Sequence, residues 1–384
     1  MNYHHSKCTN VHIYPSDFAH ESRIEKIAIS IDKLDLFSDL LLIGTSGENS
    51  KSQWFISKNI KIKLLGPKNT PASIFSKVIK FVKFYFLIYK YLRCYKISCI
   101  NAHSLSVLPL CYILSVIHKC KLIYDTHELE TETNSISGIR KVISKLLERI
   151  LITRVDHVFV VSENIADWYD KHYPINRPTV LYNAPSCASV ISRKHYFHDK
   201  YNLENDVKIM LYVGGLSSNR GIEQMLTLAT ELVAYKSLKF VFMGSGPLEC
   251  KIEQCALTQD NIYLHSPVSR AQVIDLVGHA DIGWSLVQDS CLSHYYSMPN
   301  KLFEYVFSGI PVLTTNMKET AQFVIENNVG RVISEFDVNE MLRSIDTLIN
   351  DPTYLSYKIA ERVEGFSWVE QETKLNNVYM KLFN

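Results

Sequence analysis

The stretch Ser297-Met-Pro-Asn-Lys-Leu-Phe-Glu-Tyr305 runs directly into Val306-Phe-Ser-Gly-Ile-Pro-Val-Leu313 and gathers a lysine, an asparagine and a carboxylate at one expected helix start. The helix should stop at Gly309, with an apolar strand behind it. Ser297, Pro299, Asn300 and Lys301 then stand at the helix mouth, where unpaired amides and the helix dipole favour an anion. A phosphorylated ligand fits that chemistry. Glu304 lies one to two turns further in, between Phe303 and Tyr305. A carboxylate in such a place needs partners, which vicinal ribose hydroxyls, a nearby lysine or a backbone amide would supply.

Three further segments have the same strand, turn and helix layout. In Tyr212-Val-Gly-Gly-Leu-Ser-Ser-Asn-Arg-Gly-Ile222, Gly214 and Gly215 allow close approach of backbone to ligand, and Arg220 has the fork that pairs with a diphosphate. The same residues also suit a tight turn with a solvated arginine. In Phe242-Met-Gly-Ser-Gly-Pro-Leu-Glu249, Gly244 and Gly246 can hold a base or sugar against the backbone, or simply join strand to helix, with Pro247 suited to the first helical turn. In His265-Ser-Pro-Val-Ser-Arg270, Ser269 can cap a helix starting at Arg270, and the backbone of Pro267 and Val268 can read a base edge. His103 and His127 each follow an apolar strand, at the edge where open parallel sheets bind ligands. Asp125 and Glu128 flank His127, to orient it, to bind an acceptor or to cap the next helix.

The elements that must position these groups alternate regularly. Strands are expected near Val11–Tyr14, Asp39–Gly44, Ile60–Leu65, Ser98–Ala102, Lys121–Tyr124, His157–Val161 and Thr179–Tyr182. A second set falls near Ile209–Val213, Lys239–Met243, Ile262–Leu264, Ile282–Trp284, Pro311–Leu313 and Arg331–Ile333. Helical periodicity fills the gaps, so the fold class is α/β with two doubly wound Rossmann-like domains facing a cleft. A seam of mixed polarity between Asn183 and Asp206 divides residues 1–190 from residues 207–365, and residues 366–384 form a C-terminal helix. A chain of 384 residues is long enough for both cores.

The net charge of +2 hides a segregated distribution. From Lys51 to Tyr124 there are thirteen Lys or Arg and no Asp or Glu. Nine cysteines form an odd set without a C-x-x-C pair, which argues against a disulfide framework or a zinc site and for reduced thiols. The polar start has no signal-peptide core, and no apolar run of about 18 residues is present. A cytoplasmic protein is expected.

Taken together, Val213-Gly-Gly-Leu, Asn219-Arg-Gly-Ile-Glu, Met243-Gly-Ser-Gly-Pro, Ala280-Asp-Ile-Gly and Pro299-Asn-Lys-Leu-Phe-Glu-Tyr with Gly309-Ile-Pro-Val resemble family 4 glycosyltransferases of the GT-B fold, in the branch with a Pro-Asn-Lys-Leu-Phe-Glu motif. Asn101-Ala-His103, Tyr124-Asp-Thr-His-Glu128, Asp156-His-Val-Phe-Val-Val-Ser162 and Phe366-Ser-Trp368 stand in matching order. The resemblance implies that a nucleotide diphosphate sugar lies mainly on the second domain. Arg220 would meet the diphosphate, Glu304 the ribose hydroxyls, and His103 the sugar and phosphates, with Lys301 assisting. The final helix would cross back to the first domain. It also implies retention of anomeric configuration, no cofactor and no bound metal. Asp17, His127 and Glu128 are the candidates for the side of a saccharide or lipid-linked acceptor. Three positions depart from the pattern. Tyr296 stands where many relatives carry a first glutamate, Gly215 where many have arginine, and Tyr14 to Arg23 replace a glycine-rich loop.

Ser76 to Lys96 interleaves cations with aromatic and aliphatic residues at helical spacing. Such a helix covers a sheet with its apolar face and offers lysines and some aromatics to an anionic membrane. That places the protein at the inner face of the cell membrane, extending a lipid-linked saccharide for a surface polysaccharide. Nucleic acid is not an expected partner, since no binding motif for it appears. Two other classes share the two-domain layout: a nucleotide-sugar 2-epimerase, and a non-catalytic nucleotide-sugar-binding partner.

Overall fold

A computed structural model describes residues 8–19, 21–46, 52–66, 74–188, 195–233 and 235–383. The chain forms two compact units, Met1–Leu181 with Glu372–Asn384, and Tyr182–Gln371.

Unit 1 is built on eight strands: β1 (Thr9–Ile13), β2 (Asp39–Gly44), β3 (Gln53–Phe55), β4 (Ile60–Leu64), β5 (Ile97–Ala102), β6 (Lys121–Asp125), β7 (His157–Val160) and β8 (Thr179–Val180). Their order is β3-β4-β2-β1-β5-β6-β7-β8. All pairings are parallel except β3 with β4. The helices are α1 (Ser22–Asp32), α2 (Ile74–Leu92), α3 (Leu108–His118), α4 (Gly138–Leu151) and α5 (Glu163–His172). The chain turns back across the sheet after β1 and runs the other way from β4 to β7. Right-handed crossovers therefore put α2, α3, α4 and α5 on one side of the sheet and α1 on the other.

Leu40 to Ile43 on β2, Val11 and Ile13 on β1, and Ile100 and Ala102 on β5 are buried and aliphatic, as parallel strands covered on both faces require. One row is polar instead. Asn10 and His12 on β1 face the same way as Asn101 and His103, because His12 pairs in register with Asn101 and side chains alternate along a strand.

Unit 2 has a six-stranded, wholly parallel sheet. Its strands are β9 (Lys208–Val213), β10 (Leu238–Met243), β11 (Ile262–His265), β12 (Ile282–Ser285), β13 (Val312–Thr315) and β14 (Gly330–Ile333), in the order β11-β10-β9-β12-β13-β14. Its helices are α6 (Tyr196–Tyr201), α7 (Ile222–Glu231), α8 (Glu249–Thr258), α9 (Arg270–Val277), α10 (Leu292–Tyr295), α11 (Asn300–Phe307), α12 (Lys318–Glu326), α13 (Val338–Asn350) and α14 (Ser356–Val363). Tyr212, Phe240, Phe242 and Trp284 anchor one face of its core.

The last helix, α15 (Trp368–Phe383), begins in unit 2 and ends in unit 1. Its Tyr379 hydroxyl donates to Asn101 Oδ1 at 2.6 Å, and Glu372 pairs with Lys33 at 2.7 Å. Two local expectations shift. Strand β3, three residues at the sheet edge with no buried position, carries no apolar run to reveal it. Helix α8 begins at Glu249, so Pro247 belongs to the turn before it rather than to its first turn.

Candidate functional site

In unit 2 the chain leaves β9, β10 and β11 through three turns laced together by their backbones. The amide of Gly214 donates to Met243 O at 3.0 Å, Leu216 to Ser245 O at 2.9 Å, and Gly244 to His265 O at 3.2 Å. A Cβ on Gly244 would sit 1.9 Å from Gly214 O, and one on Gly246 would sit 2.5 Å from Leu216 O. These two glycines are required by the turn-on-turn packing itself. Gly215 is different: it is exposed, and an added Cβ would meet nothing within 4 Å.

Lys301 joins this platform to the mouth of α11. It occupies the first turn of the helix and is 8% exposed, with its ammonium 3.7 Å from the centre of the Tyr212 ring. Among the described residues no carboxylate lies within ion-pair distance of it. Burial, reinforced by Arg220, pushes its pKa well below the ordinary lysine value, and Glu304 only partly offsets this. Glu304 is half-buried one turn on, and Arg220 is exposed. The expected site residues Gly214, Arg220, Lys301 and Glu304 therefore share one neighbourhood.

The flanking groups are fixed by local bonds. Asn300 Oδ1 accepts from Asn183 Nδ2 at 3.1 Å, Ser297 Oγ donates to His294 O at 2.9 Å, and Ser297 O accepts from Thr320 Oγ1 at 3.1 Å. Pro299 is the residue before the helix and supplies no side-chain cap. Pro267 and Val268 follow His265, whose Nδ1 lies 2.6 Å from Ser266 O and whose Nε2 lies 2.8 Å from the Tyr196 hydroxyl. Ser269 precedes α9, and its amide donates to Gln272 at 3.2 Å.

Unit 1 carries a second cluster, at the carboxyl ends of β1, β5 and β6. Asp125 accepts from Arg23 Nη2 at 2.6 Å and lies 2.9 Å from His103 Nδ1. Arg23 also donates to the Leu181 carbonyl. His103 Nε2 lies 2.9 Å from His12 Nδ1. With Nδ1–H of His103 pointed at the carboxylate, its Nε2 must accept from His12, which leaves His12 Nε2 buried and without a hydrogen bond. Burial lowers both histidines, so the row is neutral imidazoles ending on a carboxylate. Burial alone would raise Asp125, but the Arg23 guanidinium and then the His103 bond hold it well below the usual carboxylate range.

His127, half-buried, brings Nε2 to 3.3 Å from Asp125 Oδ2 without hydrogen-bond alignment, and its ring lies 5.1 Å from that of Tyr14. Glu128 is exposed, and Asp17 is half-buried and accepts from the Ala19 amide at 3.1 Å. The ligand atoms of His103, Asp125 and His127 all lie within 4.8 Å of one another. A cation placed there would compete with Arg23 and His103 for the same carboxylate, so the donor set fits an internal ion pair better than a metal. His12 and Arg23 escaped the reading of the sequence. Their signal was polar residues at alternate positions of an otherwise apolar strand, and an arginine just inside the first helix.

Residues 194–364 match the family model described as Glycosyl transferases group 1, and residues 49–186 match that of Glycosyltransferase Family 4. A capsular polysaccharide biosynthesis glycosyltransferase, CapM, of Staphylococcus aureus is 23% identical over 279 residues, 66% of this chain and 70% of the relative. The alpha-D-kanosaminyltransferase of Streptomyces kanamyceticus is 22% identical over 169 residues, 43% of this chain and 42% of the relative. Among solved structures, sucrose-phosphate synthase of Thermosynechococcus elongatus superposes with a TM-score of 0.79 at 16% identity, over 98% of this chain and 99% of that one. Anabaena HepE, in complex with UDP-glucose, superposes with a TM-score of 0.73 at 13% identity, over 98% of this chain and 100% of that one. The chain thus carries a family 4 glycosyltransferase domain followed by a group 1 glycosyl transferase domain, on the two parallel-sheet α/β units of the GT-B fold.

Proposed function

We propose that this glycosyltransferase binds a nucleotide diphosphate sugar on unit 2 and passes the sugar, with retention and without a bound metal, to a saccharide or lipid-linked saccharide acceptor in surface polysaccharide synthesis. The observation that carries this reading is Lys301, a buried ammonium held over Tyr212 at the Gly214 turn, with Arg220 beside it and no carboxylate paired to it. A buried cation is costly unless an anion completes it. A diphosphate laid along Gly214 and Gly215 supplies that anion. When the bond from the sugar's anomeric carbon to the diphosphate oxygen breaks, the charge gathering on the leaving oxygens falls to Arg220, Lys301 and the α11 amides.

Glu304 is assigned the ribose hydroxyls, and the Gly244, Gly246, Pro267 and Val268 backbone the sugar or base. In unit 1 both ring nitrogens of His103 are engaged, so His103 serves as a positioning residue of the cluster, and His127, Asp17 and Glu128 are assigned to the acceptor. The acid-free stretch from Lys51 to Tyr124 supports a peripheral site on the anionic inner face of the cell membrane. No described helix is long and apolar enough to cross a bilayer. Product analysis with a nucleotide sugar and a lipid-linked acceptor tests the whole. Transfer to the acceptor is expected, whereas an epimerised nucleotide sugar, or no turnover with intact binding, contradicts it.

A further inference from the structure

Helix α4 is inside out. Its sequence, Gly138-Ile-Arg-Lys-Val-Ile-Ser-Lys-Leu-Leu-Glu-Arg-Ile-Leu151, is amphipathic, and a helix covering a sheet should turn its apolar stripe inward. Here the residues at i, i+3, i+4, i+7 and i+11 face out: Ile139 is 76% exposed, Val142 65%, Ile143 58%, Leu146 59% and Ile150 54%. At about 100° per residue, Glu148 stands on the opposite side. It is fully buried and accepts from the hydroxyls of Tyr169 at 2.6 Å, Tyr173 at 2.7 Å and Tyr124 at 3.1 Å. The helix is therefore fastened by its carboxylate and presents its hydrophobic face to the outside.

Two of the other helices on the same side of the sheet, α2 and α3, continue that face. Helix α3, which packs beside α4, exposes Ile113, Val116 and Ile117. Helix α2, tied to the start of α3 by the Tyr85 hydroxyl on Ser106 O, exposes Val82 and Phe86. Contiguous exposed apolar surface of this kind marks an interaction site. Across these three helices its charge is one-sided, and acids enter only beyond α4, on α5 with Glu163, Asp167 and Asp170. Helix α2 carries four lysines and no acid, α3 has no acid, and α4 has two arginines and two lysines against Glu148, which is turned inward. Lys141 and Lys145 are shared with Glu132, while Arg140 and Arg149 border the stripe and are exposed.

We propose that the outer face of α2, α3 and α4 is a docking surface for an anionic bilayer, with the apolar stripe of α4 entering the interface between headgroups and acyl chains. This rests on the membrane location proposed above and assigns it to a surface beyond the single helix that sequence periodicity singled out. A stripe rimmed by cations matches a layer of acidic headgroups over hydrocarbon. A second copy pairing through the same face would bring two cation-rimmed stripes together, with no outward-turned acid on these three helices to offset them.

Vesicle flotation of the full-length protein tests this, with phosphatidylcholine compared to phosphatidylcholine–phosphatidylglycerol vesicles at low and high salt. Wild type should float with the anionic vesicles at low salt. The double variant Ile143→Asp/Leu146→Asp should lose about tenfold or more of that partition. Arg140→Gln/Arg149→Gln should weaken binding mainly to the anionic vesicles. All four positions are solvent-exposed, so thermal melts of the variants should match wild type. Nucleotide titration of the same samples keeps this reading apart from the donor site, because the variants should bind nucleotide as wild type does. Three results overturn the proposal: no flotation of wild type, equal flotation of the α4 double variant, or a dimer in sedimentation velocity that the double variant abolishes.

Discussion

In unit 1 every strong charge of the strand-end cluster is answered from within: Asp125 by Arg23 and His103, and His103 by His12. In unit 2 the strand-end turns are closed by backbone bonds, and Lys301 is left with an aromatic face for company. The first arrangement spends its polar groups on rigidity. The second keeps two cations and a half-buried carboxylate at one place, which is what a ligand carrying its own negative charge requires. At these polar side chains, unit 1 should therefore answer mutation in stability, and unit 2 in binding.

The largest effect is expected where backbone meets backbone. Gly244→Ala would force a Cβ to 1.9 Å from Gly214 O at a φ of +155°, and should cost about 3 kcal/mol or more in urea unfolding. Gly215→Ala, placed in open space one residue beyond Gly214, should stay within about 0.5 kcal/mol. Equal costs would show that the two turns are not packed as described. Next comes Asp125→Ala, which leaves Arg23 buried without its carboxylate and should remove about 3 to 5 kcal/mol of stability. Nucleotide affinity of the folded fraction should stay close to wild type, and a large loss there would blur the division between the units.

Glu304→Ala and Arg220→Ala should do the reverse. Each is expected to lower nucleotide-sugar use by about 1.5 to 3 kcal/mol, the cost of a lost charged hydrogen bond, with melting unchanged. Acid draws a smaller distinction. His12 and His103 are lowered by burial, so below the ordinary value of 6.5 the unfolded chain holds more protons than the folded one and stability falls with pH. Asp125, held below its ordinary 3.8, extends that loss to lower pH. Glu130 acts in the opposite direction. Its carboxyl is raised by burial, so its contribution is present in acid and fades as pH rises through its folded value. Glu148, also raised by burial, acts with Glu130, so the discriminating comparison is between proteins: from about pH 7 to about pH 5, His12→Gln should hold its urea midpoint better than wild type. An unchanged slope in the variant would mean that the row is not held neutral.

What could be read in the sequence follows the range over which each feature is encoded. Strands buried on both faces announce themselves as apolar runs, and β2 from Asp39 to Gly44 was legible to the residue. Strand β3 was not, because three edge residues with exposed ends need no apolar pattern. The unit 2 turns are contiguous in sequence, so their glycines and Arg220 could be picked out, but the packing of Gly244 on Gly214 O could not. The unit 1 cluster joins residues 91 and 102 positions apart, and only its strand-end members, His103, Asp125 and His127, stood out. Helix α4 shows a deeper limit. Periodicity gives the position of a stripe but not whether it faces in or out, and only the tyrosine hydroxyls around Glu148 settle that.

The most direct measurement is calorimetric titration of wild type, Arg220→Ala and Glu304→Ala with UDP, GDP and ADP. At least one nucleotide should bind wild type and bind each variant about 10- to 150-fold more weakly. Failure of all three nucleotides to bind, or equal binding by wild type and both variants, would contradict the assignment of the donor site.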